Sequence, residues 1–312
     1  MAREPPFITK ERKIAIGASE ERAASDDRVA VVVATRNRRS SVLRTLAHLT
    51  SLPERPRIVV VDNASSDDTA GAVRAQHPRV EVISLRQNLG AAARTVGVRS
   101  VHAPYVAFSD DDSWWAAGAL ARAADELDRH PRLALLAGRI LVGDEEREDP
   151  TCTLMARSPL PRDDGLPGTA VLGFVACGAV VRRSAYLEAG GFHPRLLVYG
   201  EERLLAVDLA ERGWHLAYVP EVVAHHHPAG ARDARERERL EARNEVLFAW
   251  LRRPLARALT ESASLARRAL REPEYRPAMR DVVAACVTIA RERKRVGRTV
   301  ESELRLLERG ER

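Results

Sequence analysis

VAVVVATRNR, residues 29–38, is an apolar and mostly β-branched run that breaks off into threonine, arginine and asparagine. A run of that length, apolar at successive positions, suits a strand buried on both faces. The pattern repeats downstream. Residues 41–52 carry Val42, Leu43, Leu46 and Leu49 at helical spacing and stop before Pro53. Residues 58–61 predict a second strand, 67–76 a helix, 80–85 a third strand, 91–101 a helix and 105–108 a fourth strand. Four such repeats imply parallel strands joined by right-handed crossovers, an α/β fold. Ligands in sheets of this kind bind beyond the carboxyl ends of the strands. The four ends here are polar: Thr35-Arg36-Asn37, Asp62-Asn63, Arg86-Gln87-Asn88 and Ser109-Asp110-Asp111-Asp112. All four are expected to face one crevice.

Beyond the fourth strand the pattern loosens. Residues 116–129 predict a helix and 133–142 a strand; 143–168, rich in Pro, Asp and Glu, read as a long loop able to close over a ligand. Residues 171–181 are apolar but interrupted by Gly173 and Gly178. A helix over 204–212 and strand material over 214–223 complete the body, and from Arg232 the chain reads as helices broken near Pro254 and Pro273. Residues 1–27, polar and holding Pro5-Pro6, read as a flexible leader.

The 312-residue length accommodates one α/β domain with an appendage, and 45% hydrophobic residues exclude global disorder. No apolar run of about 18 residues is present, so no membrane-spanning helix is expected. The first residues lack an apolar signal region, and Cys152, Cys177 and Cys286 form neither a disulfide framework nor a CxxC pair. A reducing cytoplasm is the expected compartment. The net charge of +6 is uneven: residues 232–312 hold 21 Arg and Lys against 14 Asp and Glu. That basic tail reads either as a solvated, salt-bridged helical face or as a surface for an anionic partner such as a membrane. Nucleic acid is not the expected partner, because acids interleave with the bases and no set of stacking aromatics accompanies them.

Asp110-Asp111-Asp112 is the most informative cluster. Adjacent carboxylates after an apolar strand repel one another unless a cation or a solvated turn relieves them. Oxygen-only ligands suit Mg²⁺ or Mn²⁺, and the competing reading is an acidic helix cap. Asp62, at a strand tip, is placed either to accept a hydrogen bond from a base or sugar or simply to form a turn. Arg94 can reach a phosphate. Three consecutive histidines, His225 to His227, point alternately along a strand and so make a poor zinc site. Trp114 and Trp115 suit either a sugar platform or packing.

Seven segments in order resemble family 2 glycosyltransferases. VAVVVATRNR (29–38), IVVVDNASSDDT (58–69), NLGAAARTVG (88–97) and VAFSDDDSWW (106–115) are similar to the nucleotide-binding half. CGAVVRRSAYLEAGGF (177–192), YGEERLLAVDLAERGW (199–214) and VPEVVAHHHP (219–228) are similar to the acceptor half. The resemblance implies a GT-A fold: a Rossmann-like, mostly parallel central sheet flanked by helices. Residues 28–231 would form the catalytic domain, with 28–115 the nucleotide-sugar half and 116–231 the acceptor half, followed by a basic helical extension at 232–312. The implied reaction is metal-dependent transfer of a sugar, with inversion, from a nucleotide-diphosphate sugar to an acceptor hydroxyl, UDP- or dTDP-sugars being favoured.

The resemblance also assigns roles. Thr35, Arg36 and Asn37 would line the nucleotide pocket, Asp62 would hold the base, and Arg94 and Asp111 would lie against the nucleotide. Asp110 and Asp112 would hold Mg²⁺ or Mn²⁺, with His225 approaching the same metal. Glu202, or its neighbour Glu201, would be the general base. The chain departs from the family at Thr95, where Asn is frequent, and at Glu201-Glu202-Arg203-Leu204, where ED-x-D is usual. No second acid stands ready to protonate a leaving oxygen, as hydrolysis of a glycoside requires. Two other readings remain: a catalytically inactive relative that binds a nucleotide-sugar, and a sugar-phosphate nucleotidylyltransferase, whose glycine-rich loop ATRNRR lacks. The acceptor would be a glycan, a lipid-linked sugar or a small molecule, and the tail would rest on the membrane's inner face, on the body or on a second subunit in a homodimer.

Overall fold

The computed structural model describes residues 27–161, 164–228 and 233–310. The leader expected over 1–27 lies outside these residues except for its last position, and so does the boundary placed at 231/232. Strand–helix alternation runs as expected through β1 (Val29–Thr35), α1 (Arg39–Thr50), β2 (Arg57–Asp62), α2 (Thr69–Gln76), β3 (Glu81–Ser84), α3 (Ala93–Ser100) and β4 (Tyr105–Asp110). The second part holds β5 (Ser113–Trp115), α4 (Ala119–Arg129), β6 (Leu133–Val142), β7 (Arg147–Glu148), α5 (Pro150–Ala156), β8 (Thr169–Ala170), β9 (Ala179–Arg182) and α6 (Arg183–Ala189). Then come α7 (Glu201–Glu211), β10 (His215–His226), α8 (Ala234–Arg252), α9 (Leu255–Arg271), α10 (Arg276–Glu292) and α11 (Arg298–Gly310).

One mixed sheet runs in the order β3-β2-β1-β4-β9-β6-β10-β5, with β7 on β6 and β8 on β10. The first four strands are parallel, as the alternation requires. Beyond β4 the chirality rule no longer governs, because β9 enters antiparallel to both β4 and β6. β6 and β10 are parallel again, and β5 closes the edge antiparallel to β10.

Valine-rich β1 illustrates why the strand is apolar throughout. Ala30 and Val32 enter the core on one face, Val29, Val31 and Val33 the core on the other, and all five are essentially sealed from water. Side chains alternate across a strand, so both faces need apolar residues when helices cover both. A third core joins Leu204 and Val207 of α7 to Val246, Leu247, Phe248 and Leu251 of α8 and to residues of α9, α10 and α11.

Two segments differ from expectation. The stretch 143–168 is not one loop: β7 pairs with β6, and α5 packs Cys152 and Met155 into the first core. Asp149 caps α5 by accepting from the Thr151 N–H at 2.8 Å, with Pro150 at the first helical position. An Asp-Pro pair that looks like loop composition is here a helix start. α6, unanticipated, ends at Gly190 in the left-handed conformation, φ +96°. The proline breaks hold, with α8 ending at Arg252 just before Pro254 and a short 3₁₀ turn at Pro273–Tyr275.

The basic extension is a salt-bridged layer. Arg253 is 1% exposed, its guanidinium 2.9 Å from Glu301 and 2.5 Å from Glu308. Arg252 pairs with Asp208 of α7 at 2.5 Å, and Arg203 of α7 with Glu245 of α8 at 2.7 Å. Among the described residues no helix is long and apolar enough to cross a membrane.

Candidate active site

The carboxyl ends of β1, β2 and β4 meet in register. Thr35 pairs with Asp62 across β1 and β2, and Ala34 with Asp110 across β1 and β4. Asp62 is 5% exposed and its Oδ1 has no hydrogen-bond partner. A buried carboxylate oxygen without a partner is costly and marks a place where a ligand donor would sit. Asn37, in the left-handed region at φ +54°, accepts from the Ser66 N–H at 2.7 Å, while its own N–H donates to Ser65 Oγ at 2.9 Å. These bonds lock the β1 and β2 tips together and leave Arg36 exposed between them. Asn63, part of the polar end of the second strand but given no role of its own by the sequence, accepts from Leu89 N–H at 2.8 Å and donates to Gly90 O at 3.1 Å. It fastens the second tip to the turn preceding α3.

The three aspartates point to three different neighbours. Asp110 takes an ion pair from the Arg94 guanidinium, while its N–H donates to Ser113 Oγ at 2.7 Å. Asp111 accepts from Thr35 Oγ1 at 2.9 Å, and burial together with Asp112 and Asp110 pushes its carboxyl up to about 6. Asp112 is 3% exposed, with Oδ1 3.4 Å from His226 Nε2. Burial disfavours the His226 imidazolium, but Asp112, helped by Asp110 and Asp149, outweighs it and raises the pKa. The strand period explains why His226 rather than His225 lies beside Asp112. On β10, His226 opposes Ser113, whereas His225 opposes Trp114 and turns its Nδ1 toward Glu146 at 3.3 Å. The Trp114 ring is stacked between His48 at 3.9 Å and His227 at 4.7 Å. Trp115 is buried.

Arg94 is the hub. Burial opposes its charge, yet Asp110, Glu201 and Glu202 together raise its pKa. Glu201 and Glu202 begin α7, directly after Leu197, Tyr199 and Gly200 at φ +54°, +69° and +88°. Glu201 is 3% exposed with Oε2 unpartnered, and burial beside Glu202 pushes its carboxyl up to about 9. Glu202 is partly buried, its carboxyl also raised, first by burial, with the Arg94 charge and a hydrogen bond from the Ala176 backbone opposing the shift. Thr95, where the family favours Asn, bonds Tyr186 OH at 2.8 Å and accepts from Phe192 N–H at 3.2 Å, tying the two halves together. An open cleft of about 630 Å³ lies beside these tips, lined by Ser40, Ser41, Arg44, Gly143, Asp144, His227 and Pro228.

Among the described residues no group of three or more His, Cys, Asp or Glu forms a ready-made cage for a metal. A divalent cation at Asp110 and Asp112 would therefore take its remaining ligands from water and diphosphate oxygens. That is how Mg²⁺ is ordinarily bound in phosphate-transfer sites, with one or two carboxylates. The donor set fits such an ion: two carboxylates at one strand end, an imidazole against one of them, and Arg94 to share the charge of the other.

A profile of glycosyl transferase family 2 matches residues 30–190. The N-acetylglucosaminyl-diphospho-decaprenol L-rhamnosyltransferase of Mycobacterium tuberculosis is 27% identical over 280 residues, 77% of this chain and 91% of that protein. The pre-mycofactocin glycosyltransferase of the same organism is 33% identical over 221 residues, 66% of this chain and 44% of that protein. Among solved structures, a mannosyltransferase from Pyrobaculum calidifontis in complex with GDP-Man and Mn²⁺ superposes with TM-score 0.55 at 20% identity, over 88% of this chain and 92% of the other. S. aureus TarS 1–349 in complex with UDP-GlcNAc superposes with TM-score 0.56 at 17% identity, over 89% and 91%.

Proposed function

The chain belongs to glycosyl transferase family 2, and from that premise we propose that it is a metal-dependent inverting enzyme moving a sugar from a nucleotide-diphosphate sugar to an acceptor hydroxyl. The observation that carries this reading is the ion pair of the donor-side Asp110 with Arg94, whose charge the acceptor-side Glu201 and Glu202 also favour. Asp62 takes the base of the nucleotide, its unpartnered oxygen accepting an N–H of uracil or thymine. Thr35, Arg36 and Asn37 frame that pocket, with Asp111 fixed against Thr35 behind it. Asp110 and Asp112 hold Mg²⁺ or Mn²⁺. His226 joins them by contact with Asp112; His225, the histidine that the family resemblance brings toward the metal, is the alternative ligand. A bound cation supplies neutralisation of the charge that builds on the departing diphosphate.

The base must be ionised to accept a proton. Burial pushes Glu201 up to about 9 and raises Glu202 as well, so each carboxylate holds its proton more tightly than in water and is the stronger base when ionised. Glu202, which stands where the family has its base, is taken as the general base, with Glu201 as the alternative. It takes the acceptor hydroxyl proton as that oxygen bonds to the anomeric carbon, opposite the departing nucleotide diphosphate, a role typically contributing about 10²–10⁴-fold.

The N-acetylglucosaminyl-diphospho-decaprenol named for one relative supports a lipid-linked glycan as acceptor. An acceptor of that kind would bring the enzyme to the cytoplasmic face of a membrane. Exposed Leu255, Leu259, Val283 and Val287 on α9 and α10 support peripheral contact there, a homodimer through the same helices being the competing arrangement.

The test is to incubate the full chain with UDP- and dTDP-sugars, Mn²⁺ and a polyprenyl-diphosphate-linked N-acetylglucosamine. Nucleotide release and a mass gain of one sugar on the lipid are expected. Nucleotide binding without turnover on any acceptor would favour an inactive relative, which the altered Glu201-Glu202-Arg203-Leu204 sequence motivates.

A further inference from the structure

Glu201 and Glu202 are presented by a turn in an improbable conformation. Leu197 and Tyr199 both occupy the left-handed region, and residues other than glycine hold it only where the surroundings enforce it. The turn is gripped from two sides. On the donor side, Leu197 O accepts from the Ala91 N–H at 2.5 Å, in the turn that leads to Arg94. Gly90 permits that approach: a Cβ at Gly90 would stand 2.3 Å from Leu197 O.

The other grip comes from α8, more than forty residues further along the chain. Asn244 is 2% exposed, and its Nδ2 faces Leu196 O at 2.8 Å, Val198 O at 2.8 Å and Tyr199 O at 2.6 Å. Its Oδ1 accepts from Arg243 Nη1 at 2.7 Å, and the same Nη1 donates to Arg195 O at 3.0 Å. An amide is the side chain that suits this place. It brings two N–H groups to carbonyls and an acceptor to a guanidinium, where a carboxylate would oppose three carbonyl oxygens. At the end of α10, Glu292 lies 3.3 Å from His193 and 3.7 Å from Arg195, fastening the start of the same loop.

We propose that Asn244 is a positioning residue for sugar transfer. The C-terminal helical layer, through Asn244 oriented by Arg243, holds the 196–199 turn so that Glu202 meets the acceptor hydroxyl opposite Arg94 and Asp110. This rests on the assignment of Glu202 as the base. The side-chain hydrogen bonds of Asn244 go to the 196–199 turn and to Arg243 and none to the nucleotide-binding tips, so its contribution is expected on the chemical step more than on the donor. A displacement of about 1 Å in a catalytic group costs up to about a hundredfold in rate.

The test compares full-length Asn244→Ala and Arg243→Met with the unmodified chain, using UDP or dTDP with Mn²⁺ for affinity and the corresponding active sugar donor for turnover. Expected for Asn244→Ala is kcat lower by at least about tenfold with nucleotide affinity within about twofold. Amide exchange should rise over residues 193–203 and not over β1 or β4, and the pH dependence of kcat should shift. Arg243→Met should lower kcat in the same direction by a smaller factor, again at unchanged nucleotide affinity. Unchanged kcat in a folded Asn244→Ala overturns the proposal, and if that variant does not fold, unchanged kcat in Arg243→Met overturns it. Glu202→Gln is measured alongside. If it retains full turnover the base assignment itself fails, whereas a dead Glu202→Gln beside a fully active Asn244→Ala rejects the positioning role alone.

Discussion

Arg94 of α3 and Asp110 at the end of β4 form an ion pair across the mouth of the site, with side chains only 12% and 27% exposed. Burial disfavours the Arg94 charge, and Asp110 offsets that cost. Removing one member of a buried pair typically costs about 3–5 kcal/mol, because the survivor is left uncompensated.

Arg94→Met should therefore lower the melting temperature of the ligand-free protein, and Asp110→Asn added to it should recover part of the loss. Thermal unfolding of the two singles and the double completes the cycle. Strictly additive effects would mean that the pair does not couple.

Asp62 predicts a separation of stability from binding. With Oδ1 buried and unpartnered, Asp62→Asn should leave the ligand-free melting temperature equal or higher, since a buried charge is removed. UDP or dTDP affinity should fall by about ten- to a hundredfold, the worth of a hydrogen bond to a charged group. Calorimetric titration beside thermal unfolding reads both.

Glu201 predicts a pH dependence of stability. Its folded carboxyl is raised to about 9, whereas in the unfolded chain it titrates in the ordinary carboxylate range. The folded state therefore binds more protons than the unfolded one between those values, and stability drains away as pH rises through that window. Glu201→Gln should be more stable than the unmodified chain at pH 8.5, with the gap closing toward pH 4. Denaturant unfolding across pH checks this, and parallel curves would reject it.

The extension makes its own prediction. Arg253, sealed between Glu301 and Glu308, holds α11 against α8. Arg253→Met should strand two partly buried glutamates and raise amide exchange over 298–310 well before the sheet opens. Protection equal to that of the unmodified chain would assign α11 to its apolar contacts, Val300 and Leu304, alone.

The parallel half of the fold is readable from sequence because physics constrains it twice. Buried strands must be apolar throughout, and helices returning between parallel strands must carry a stripe. The strand at 133–142 matches its expected bounds for the same reason. The antiparallel insertion of β9 in the middle of the sheet and the three-residue edge strand β5 are not readable, since strands of three or four residues owe their direction to partners rather than to local pattern. In the site, the carboxylates at strand tips announce themselves by position, as does Arg94 behind its Asn-Leu-Gly turn. That His226 is the histidine beside Asp112 escapes a reading by spacing, because three adjacent histidines look alike until the register on β5 decides which face each occupies. Asn244 is invisible in the sequence: its partners are backbone carbonyls 45 to 48 residues away, which no spacing rule reports. The tail's positive charge suggests an outward-facing surface, while in the fold Arg252 and Arg253 turn inward onto acids.

The central claim is that a divalent cation at Asp110 and Asp112 binds the donor's diphosphate. The most direct measurement is calorimetric titration of UDP and dTDP into the full chain with Mn²⁺, with EDTA, and into Asp112→Asn with Mn²⁺. Binding that requires Mn²⁺ and is lost in Asp112→Asn is the expected result. Equal affinity in EDTA, or in the variant, would contradict it.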